Sequence, residues 1–410
     1  MFFDIYHHLG KKKITILFFL FISSLVFRIP IIILFGDTNL EYEWLNLVNN
    51  LVLHGQLVWQ TFDNGFLLPN SWMPPLYAYY LFFFTFFNLE HHNYITLILF
   101  SQVILASASV VFFYEVNKNF FSKKISFYSS LLFSIFPLHL YASSQISSIS
   151  LQTFLTIVFL YLFYQLVKKR DVTSIILFSI IAGLLILLRG EFWFIFFLSL
   201  VYLFVFLKIS IKKILLIILI SSITASPYLI RNYLIFEKIT VLQSFGYNLW
   251  KGNHPYAKEN SIVEGSMIVN EKIMEKVNNI KIDNFYRTNF DKIFLNIAIE
   301  NIFHDPLGHI IFGLKKVFSY IFINFKSSDP NYWNILHFLP LLIIGTTSIL
   351  GIILADKKSR LFNYLILIFL INVFIFSTVS IMPRYKLVIL PLQIIFTNVL
   401  YAKIKEKYFK

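Results

Sequence analysis

The chain has 410 residues, of which 58% are hydrophobic and only 14% charged. A water-soluble domain keeps roughly a quarter of its residues charged, so this composition excludes one and points to the membrane class. The formal net charge of +14 would suit nucleic acid, but the lysines stand in short clusters between apolar runs, as in cytoplasmic anchoring, so no nucleic acid is expected as a partner. There is no cysteine, which excludes disulfides, thiolate metal sites and thiol nucleophiles.

In chain order, Lys11, Lys12 and Lys13 precede an apolar run from Ile14 to Phe35. That run is too long for a signal-peptide core and lacks a small-residue cleavage pattern, so it reads as an uncleaved first span. Further apolar runs predict spans at about 94–116, 125–141, 149–167, 174–188, 191–207, 212–230, 334–354, 361–380 and 385–402. The basic clusters Lys118/Lys123/Lys124, Lys168/Lys169/Arg170, Lys208/Lys212/Lys213, Lys357/Lys358/Arg360 and Lys403/Lys405/Lys407/Lys410 then join Lys11–Lys13 on the cytoplasmic side. This holds only if Pro74–Phe87 does not cross. It has 14 residues and opens with Pro-Pro, which suits an interfacial or re-entrant segment; the alternative is a short, tilted span.

The expected fold is therefore an all-α polytopic membrane protein of about ten transmembrane helices with external loop helices, both termini inside. Residues 1–230 form an N-terminal transmembrane module whose first external loop is 36–93; 231–333 is an external segment with interfacial helices; 334–410 holds the C-terminal transmembrane helices. No strong internal repeat is present, which counts against a transporter built from inverted halves. In the first loop, Leu40, Trp44, Val48 and Leu51 share one helical face, with Glu43, Asn46 and Asn50 on others, the pattern of a surface helix. Thr38-Asn39-Leu40-Glu41 reads as its capping box. The second external segment carries an amphipathic helix near Val269–Ile282. Its aromatic stretch Ile310–Phe325, interrupted by Lys315 and Lys316, suits the outer interface.

Arg28, Arg189, Arg231 and Arg384 fall at or near the outer ends of spans, against the positive-inside bias. An arginine at the bilayer centre costs ~2.5–3.5 kcal/mol on insertion scales, and less near an interface. Each alone would snorkel to head groups or pair with Glu191 or Glu237. Together on one rim they are better explained by a shared anion, because guanidinium groups grip phosphate through paired hydrogen bonds. A phosphate on a membrane-embedded lipid is the natural partner. Asp37 directly follows the first span, where a helix N-terminus favours an ionised carboxylate. It either caps that helix or accepts a proton from an attacking hydroxyl or amine. Glu41, as the reciprocal cap, and Glu43 are the reserve catalytic carboxylates. His7-His8, His91-His92, His254, His304 and His309 lack zinc-ligand spacing, so no metal site is assigned.

Four stretches carry a resemblance. "GDTNLEYEWLNLVNNLVLHG" (Gly36–Gly55) followed by "PPLYAYYLFF" (Pro74–Phe83) resembles the first external loop of bacterial glycosyltransferases of the dolichyl-phosphate-mannose–protein mannosyltransferase superfamily, whose relatives include the lipid A aminoarabinose transferases. "GLLILLRGEFW" (Gly183–Trp193) is similar to their Leu-rich span ending in Arg. "SPYLIRNYLIFEKITVLQSFGYNLWKGNHP" (Ser226–Pro255) resembles their PW-x-x-RN-Y stretch leading into G-x-NLW-x-GN-P, and "PRYKLVILPL" (Pro383–Leu392) their final RY-x-x-P-x-x-P signature. The matches run in order over nearly the whole chain.

The resemblance implies a GT-C fold, in which an outer-face cavity takes a sugar from a polyprenyl-phosphate carrier and passes it, with inversion, to a lipid, glycan or protein acceptor. It implies Asp37 as the acid that activates the acceptor, and Arg189, Arg231 and Arg384, with Lys386, as groups near the carrier phosphate. Cations placed there in advance stabilise leaving-group charge. Tyr42, Pro74, Pro75, Tyr77, Asn232, Trp250 and Asn253 stand in the matching stretches as substrate-loop residues. No cofactor is required and a divalent metal is left open. The chain would lie in the cell (inner or plasma) membrane with its site facing the periplasm or exterior. Three departures stand out: Thr38 replaces a second acid beside Asp37, "YASSQISSIS" (Tyr141–Ser150) lacks the Glu common in that loop, and Tyr228 replaces Trp. Two other classes fit the same arginines: a transporter or flippase of a lipid-linked anion, and a noncatalytic membrane assembly subunit.

Overall fold

The computed structural model describes residues 2–327, 330–355 and 359–408. The basic residues Lys357, Lys358 and Lys410, and the side chains of Lys11–Lys13 and His7-His8, lie outside what is described. Helix α1 (Phe2–Phe35) leads into the first loop, where α2 (Tyr42–His54) buries Trp44, Leu47, Val48 and Leu51. It ends at Gly55, whose φ of 65° is the left-handed turn a glycine adopts freely after a helix. The capping box does not form. The N-cap is Glu41 with no side-chain bond, and the Thr38 hydroxyl, too far upstream to reach the first turn, accepts from Asn39 Nδ2 at 3.2 Å. Asn50 is not on an exposed face either; it is buried and donates to Val58 O at 3.2 Å, tying α2 to the next element.

That element is a short antiparallel ribbon within the all-α architecture, β1 (Val58–Thr61) and β2 (Leu67–Pro69), with Val58 opposite Pro69. Helix α3 (Pro75–Phe83) continues as a 3₁₀ turn to Phe87 before α4 (His91–Asn117). His91 Nε2 lies 3.0 Å from Asn39 Oδ1 and 3.2 Å from Thr38 O. The start of α4 therefore lies beside the end of α1, and Pro75–Phe87 returns to the side it left.

Next come α5 (Lys123–Ile135) and α6 (Pro137–Ala142), α7 (Ser148–Lys169), α8 (Val172–Leu188), α9 (Phe192–Val205) and α10 (Ile211–Phe236). The external segment holds α11 (Phe245–Gly252), α12 (Pro255–Asn260), α13 (Glu271–Asn278), α14 (Tyr286–His304) and α15 (Pro306–Ile321). The chain closes with α16 (Ile335–Leu354), α17 (Arg360–Thr378), a 3₁₀ turn at Pro383–Val388, and α18 (Leu390–Tyr408).

Among the described residues, six helices are long and apolar enough to cross a membrane: Ile14–Phe35, His91–Asn117, Ser148–Lys169, Ile211–Phe236, Ile335–Leu354 and Arg360–Thr378. The count of about ten is corrected for local reasons. The run at 125–141 breaks at Phe136, held at ψ 123° by the following Pro137, a conformation a helix cannot use. Helices α8 and α9 have 17 and 14 residues, short of the ~20 a straight span needs. The run at 385–402 splits into the 3₁₀ turn and α18, whose last turns carry Lys403, Lys405 and Lys407.

The amphipathic stretch near Val269–Ile282 shortens to α13, capped by Asn270, which accepts from Ile273 N at 3.0 Å. Ile310–Phe325 falls largely within α15, which packs on α17. Lys315 points outward, but Lys316 is fully buried, 3.2 Å from Asn253 Oδ1. Helices α16 and α18 make the tightest helix pair: a Cβ on Gly351 would lie 1.8 Å from Phe396 O, so only glycine fits there. At one end of the bundle, Arg170 Nη2 donates to Leu207 O at 3.2 Å and Arg360 Nη1 to Phe206 O at 2.9 Å, while Lys213 donates to Arg170 O. Helix α8 runs from this basic end to Arg189 at the other.

Candidate active site

At that other end, the termini of α7, α8, α9, α10 and α17 and the external helices enclose a cavity of about 1240 Å³. Small-molecule sites usually measure ~300–1,000 Å³, so this one has room for a sugar and part of a lipid. One wall is apolar: Trp193, Phe194 and Leu198 from α9 face Ile371 and Phe374 from α17. Phe194 and Phe374 are largely exposed, so this wall also meets the lipid side. Aromatic rings from the external segments, Trp59, Trp72, Tyr247 and Phe290, line the cavity as well.

Two cations flank one ring. Arg189, at the end of α8, donates from Nε to Gln152 Oε1 at 2.7 Å, and its guanidinium lies 5.9 Å from the Tyr385 ring centre. Arg384 lies 5.9 Å from the same centre. Its Nη1 is 4.0 Å from Glu41 Oε1; both side chains are about half exposed, so the pair contributes well under ~1 kcal/mol. Arg384 is therefore held mainly by its backbone. A Cβ on Gly252 would lie 2.4 Å from Val379 C and 2.5 Å from Ser380 N, so α11 presses directly on the strand leading to Arg384. Asn253 Nδ2 donates to Thr378 O at 2.8 Å, and Ile381 N to Val263 O at 2.8 Å. Gly252→Val should displace Arg384 and lower transfer activity far more than it lowers the thermal unfolding temperature, checked by measuring both on one preparation.

Glu41 and Glu43 line the same cavity. Burial, then the charge of Glu41, push the Glu43 carboxyl above the usual range, while Arg384, Arg287 and Lys251 pull it back. Lys251 also lines the cavity and is held below the ordinary lysine range by burial and by Arg384.

The structure brings Arg189, Arg384, Glu41, Glu43 and Pro74 to this cavity and places the other expected residues elsewhere. Asp37 does not line it. Its Oδ2 accepts from Ile146 N at 2.6 Å and its own N–H donates to Ser144 O at 3.0 Å, so it clamps the loop that supplies Ser147 and Ser148 to the wall. Burial raises its carboxyl, partly offset by the Ile146 N–H. Arg28 is not on a rim but fully buried, bonded to Ser24 Oγ at 2.5 Å and Ser134 O at 3.1 Å, with His139 Nδ1 at 2.9 Å. Arg231 forks onto Asn70 O at 2.6 Å and Leu57 O at 2.9 Å, pinning the turn that presents Trp72 and Met73. Lys386 is buried and donates to Phe322 O at 2.5 Å.

Asn232 holds Thr240 O at 2.6 Å, and Trp250 is buried in the α11–α14 core with Phe294. Tyr77 is buried, its hydroxyl on Gln102 Oε1 at 2.9 Å; Pro75 opens α3, and Tyr42 is exposed. Asn232, Trp250, Tyr77 and Pro75, like Asn253, belong to the frame around the cavity. Among the described residues no three His, Asp or Glu side chains converge as a metal site, and the loop that meets Asp37 offers Ser and Gln.

One site residue carries no signal of its own in the sequence. Arg287, at the start of α14, lies 5.0 Å from the ring centres of both Trp59 and Trp72 and 5.4 Å from Phe290. Its Nε has no hydrogen-bond partner and, among the described residues, no carboxylate is within ion-pair distance. Burial lowers its pKa to about 10. It stands far from any span end, and its rings come from a loop more than two hundred residues earlier.

Neither protein-family models nor curated protein sequences match the chain. Solved structures do. Archaeal oligosaccharyltransferase AglB from Archaeoglobus fulgidus, in complex with an inhibitory peptide and a dolichol-phosphate, superposes with a TM-score of 0.57 at 13% identity, covering 99% of this chain and 51% of that one. The A. fulgidus enzyme with Zn and sulfate gives 0.56 at 16% identity over 95% of this chain and 49% of that one. The form tethered to an acceptor peptide containing the NVT sequon gives 0.56 at 13% identity over 95% and 50%. The chain thus spans about half the length of these structures. At such identities the likeness establishes the fold alone: a polytopic helical membrane bundle like that of part of the archaeal protein.

Proposed function

We propose that this chain is a glycosyltransferase, moving a sugar from a polyprenyl-phosphate donor to an acceptor on the outer face of the membrane. One observation carries the reading: Arg189 and Arg384 flank Tyr385 beside Glu41 and Glu43, in a cavity whose other wall is apolar span surface. The carrier phosphate lies between the guanidiniums and its prenyl chain runs along Phe194 and Phe374. The acceptor oxygen attacks the anomeric carbon from the face opposite the phosphate, the C–O bond to phosphate breaks, and the configuration inverts. The acceptor proton passes to Glu43 and the leaving phosphate's charge is met by the two arginines. Glu43 is preferred to Asp37 as base because it lines the cavity and Asp37 does not; Asp37 positions the Ser147–Ser148 loop. The dolichol-phosphate and acceptor peptide bound to the structural neighbour support a lipid-phosphate donor.

The motif resemblance to the protein-mannosyltransferase group belongs to this proposal.

A polyprenyl phosphate bearing a photoreactive group on its prenyl chain should cross-link to α9 and α17, and unlabelled polyprenyl phosphate should compete. Cross-linking confined to other helices would refute the placement. The pH profile is a second check. A base must be unprotonated, and Glu43 is raised, so the acid limb of kcat/KM should lie above the ordinary glutamate range. Arg384→Gln, by removing the largest counterweight to burial, should move that limb to still higher pH.

A further inference from the structure

We infer that the acceptor is anionic: a sugar carrying a phosphate or carboxylate, seated on Trp59 and Trp72 with its charge on Arg287. This rests on the sugar-transfer reading and names the acceptor class. A guanidinium in an aromatic frame has its faces stabilised by the rings, but its N–H edge needs acceptors, because an unpaired buried donor costs about 1–3 kcal/mol. Arg189 has Gln152, Arg231 two carbonyls, Arg28 a serine and a carbonyl, and Arg384 has Glu41. Arg28 Nε is unpaired as well, but its Nη1 is held, whereas Arg287 has rings on its faces, no partner at Nε and, among the described residues, no hydrogen bond from its guanidinium. Glu43 influences it electrostatically without forming an ion pair.

Its position is specific. Arg189 and Arg384 share Tyr385 at the span side, whereas Arg287 shares no ring with them and stands among loop residues from β1, the Trp72 turn and α14. Glu43, Arg384, Arg287 and both indoles line one cavity. An acceptor hydroxyl at Glu43 would have the donor phosphate toward Arg384 and its own anion toward Arg287, with a pyranose face on the indoles. The α14 frame is rigid: Asp291 Oδ1 accepts from Tyr247 N at 2.9 Å, and a Cβ on Gly246 would lie 2.3 Å from Asp291 O.

The test uses tryptophan fluorescence of the purified full chain in detergent, since Trp59 and Trp72 report on Arg287 directly. Probes are glucose 6-phosphate, glucuronate, neutral methyl glucoside and farnesyl phosphate. Both anionic sugars should give saturable quenching, with methyl glucoside at least about tenfold weaker. Arg287→Gln should weaken the anionic sugars about tenfold and leave farnesyl phosphate unaffected, Arg287→Lys should fall between, and Arg384→Gln should show the reverse pattern. Retained farnesyl phosphate binding shows that the Arg287 variants are folded. Equal binding of methyl glucoside, no effect of Arg287→Gln, or displacement of glucose 6-phosphate by farnesyl phosphate would overturn the inference. Failure of farnesyl phosphate alone to bind the wild-type chain would instead strike at the donor reading.

Discussion

Glu43→Gln will reduce sugar transfer by about 10²–10⁴-fold, the range lost with a positioned general base, while leaving polyprenyl-phosphate affinity nearly unchanged. Glutamine keeps the size and a hydrogen-bonding end but cannot take the proton. Glu43 lies on α2, whose inner face of Trp44, Leu47, Val48 and Leu51 is buried, so the substitution on its cavity side should leave that packing intact. Asp37→Asn makes the contrast. The amide keeps an oxygen for the Ile146 N–H, now at 2.6 Å from the carboxylate, so transfer should fall only modestly. The two variants, assayed for turnover and for donor binding, rank the carboxylates. A larger loss in Asp37→Asn than in Glu43→Gln would return the base to Asp37.

Arg189→Ala and Arg384→Ala should each lower turnover by about 10²–10³-fold, the size of effect seen when one stabiliser of developing negative charge is removed. Because both flank Tyr385, the double variant should lose much less than the product of the single losses. The carrier should also bind more weakly, since ground-state phosphate meets the same groups. Arg231→Ala should behave differently. Its hydrogen bonds hold Asn70 O and Leu57 O, so its loss loosens the Trp72 turn and lowers stability before it touches phosphate. Thermal unfolding in detergent, read beside turnover, separates the two cases.

The helical membrane class was legible because composition and apolar run length act locally. The positions of Arg189 at the end of α8 and of Arg384 after Pro383 likewise follow from chain position. Arg28 shows the limit. Position near a span end cannot distinguish a rim cation from one buried in a polar network, and its partners Ser134 and His139 lie more than a hundred residues away. The helix start was also beyond local reading: α2 begins at Tyr42, so Glu43, not Asp37, stands in its first turn. The Phe136-Pro137 break had a local signal in the proline itself. Arg287 had none, because a cation framed by Trp59 and Trp72 is a fact of tertiary structure. Gly252 and Asn253 of the Phe245–Asn253 stretch dock on the segment 378–380 that leads to Arg384, while Gly246 docks on α14.

The most direct test of sugar transfer is release of polyprenyl phosphate by the purified chain in proteoliposomes supplied with polyprenyl-phosphate hexoses, pentoses and amino sugars. Candidate acceptors, including anionic sugars and lipids, would be present on the outer face. The account predicts that one donor is consumed, with carrier and glycosylated acceptor appearing in equal amounts, and that Glu43→Gln abolishes both. Movement of an intact lipid-linked sugar between leaflets without cleavage, or carrier release that Glu43→Gln and Arg384→Ala leave unchanged, would contradict it.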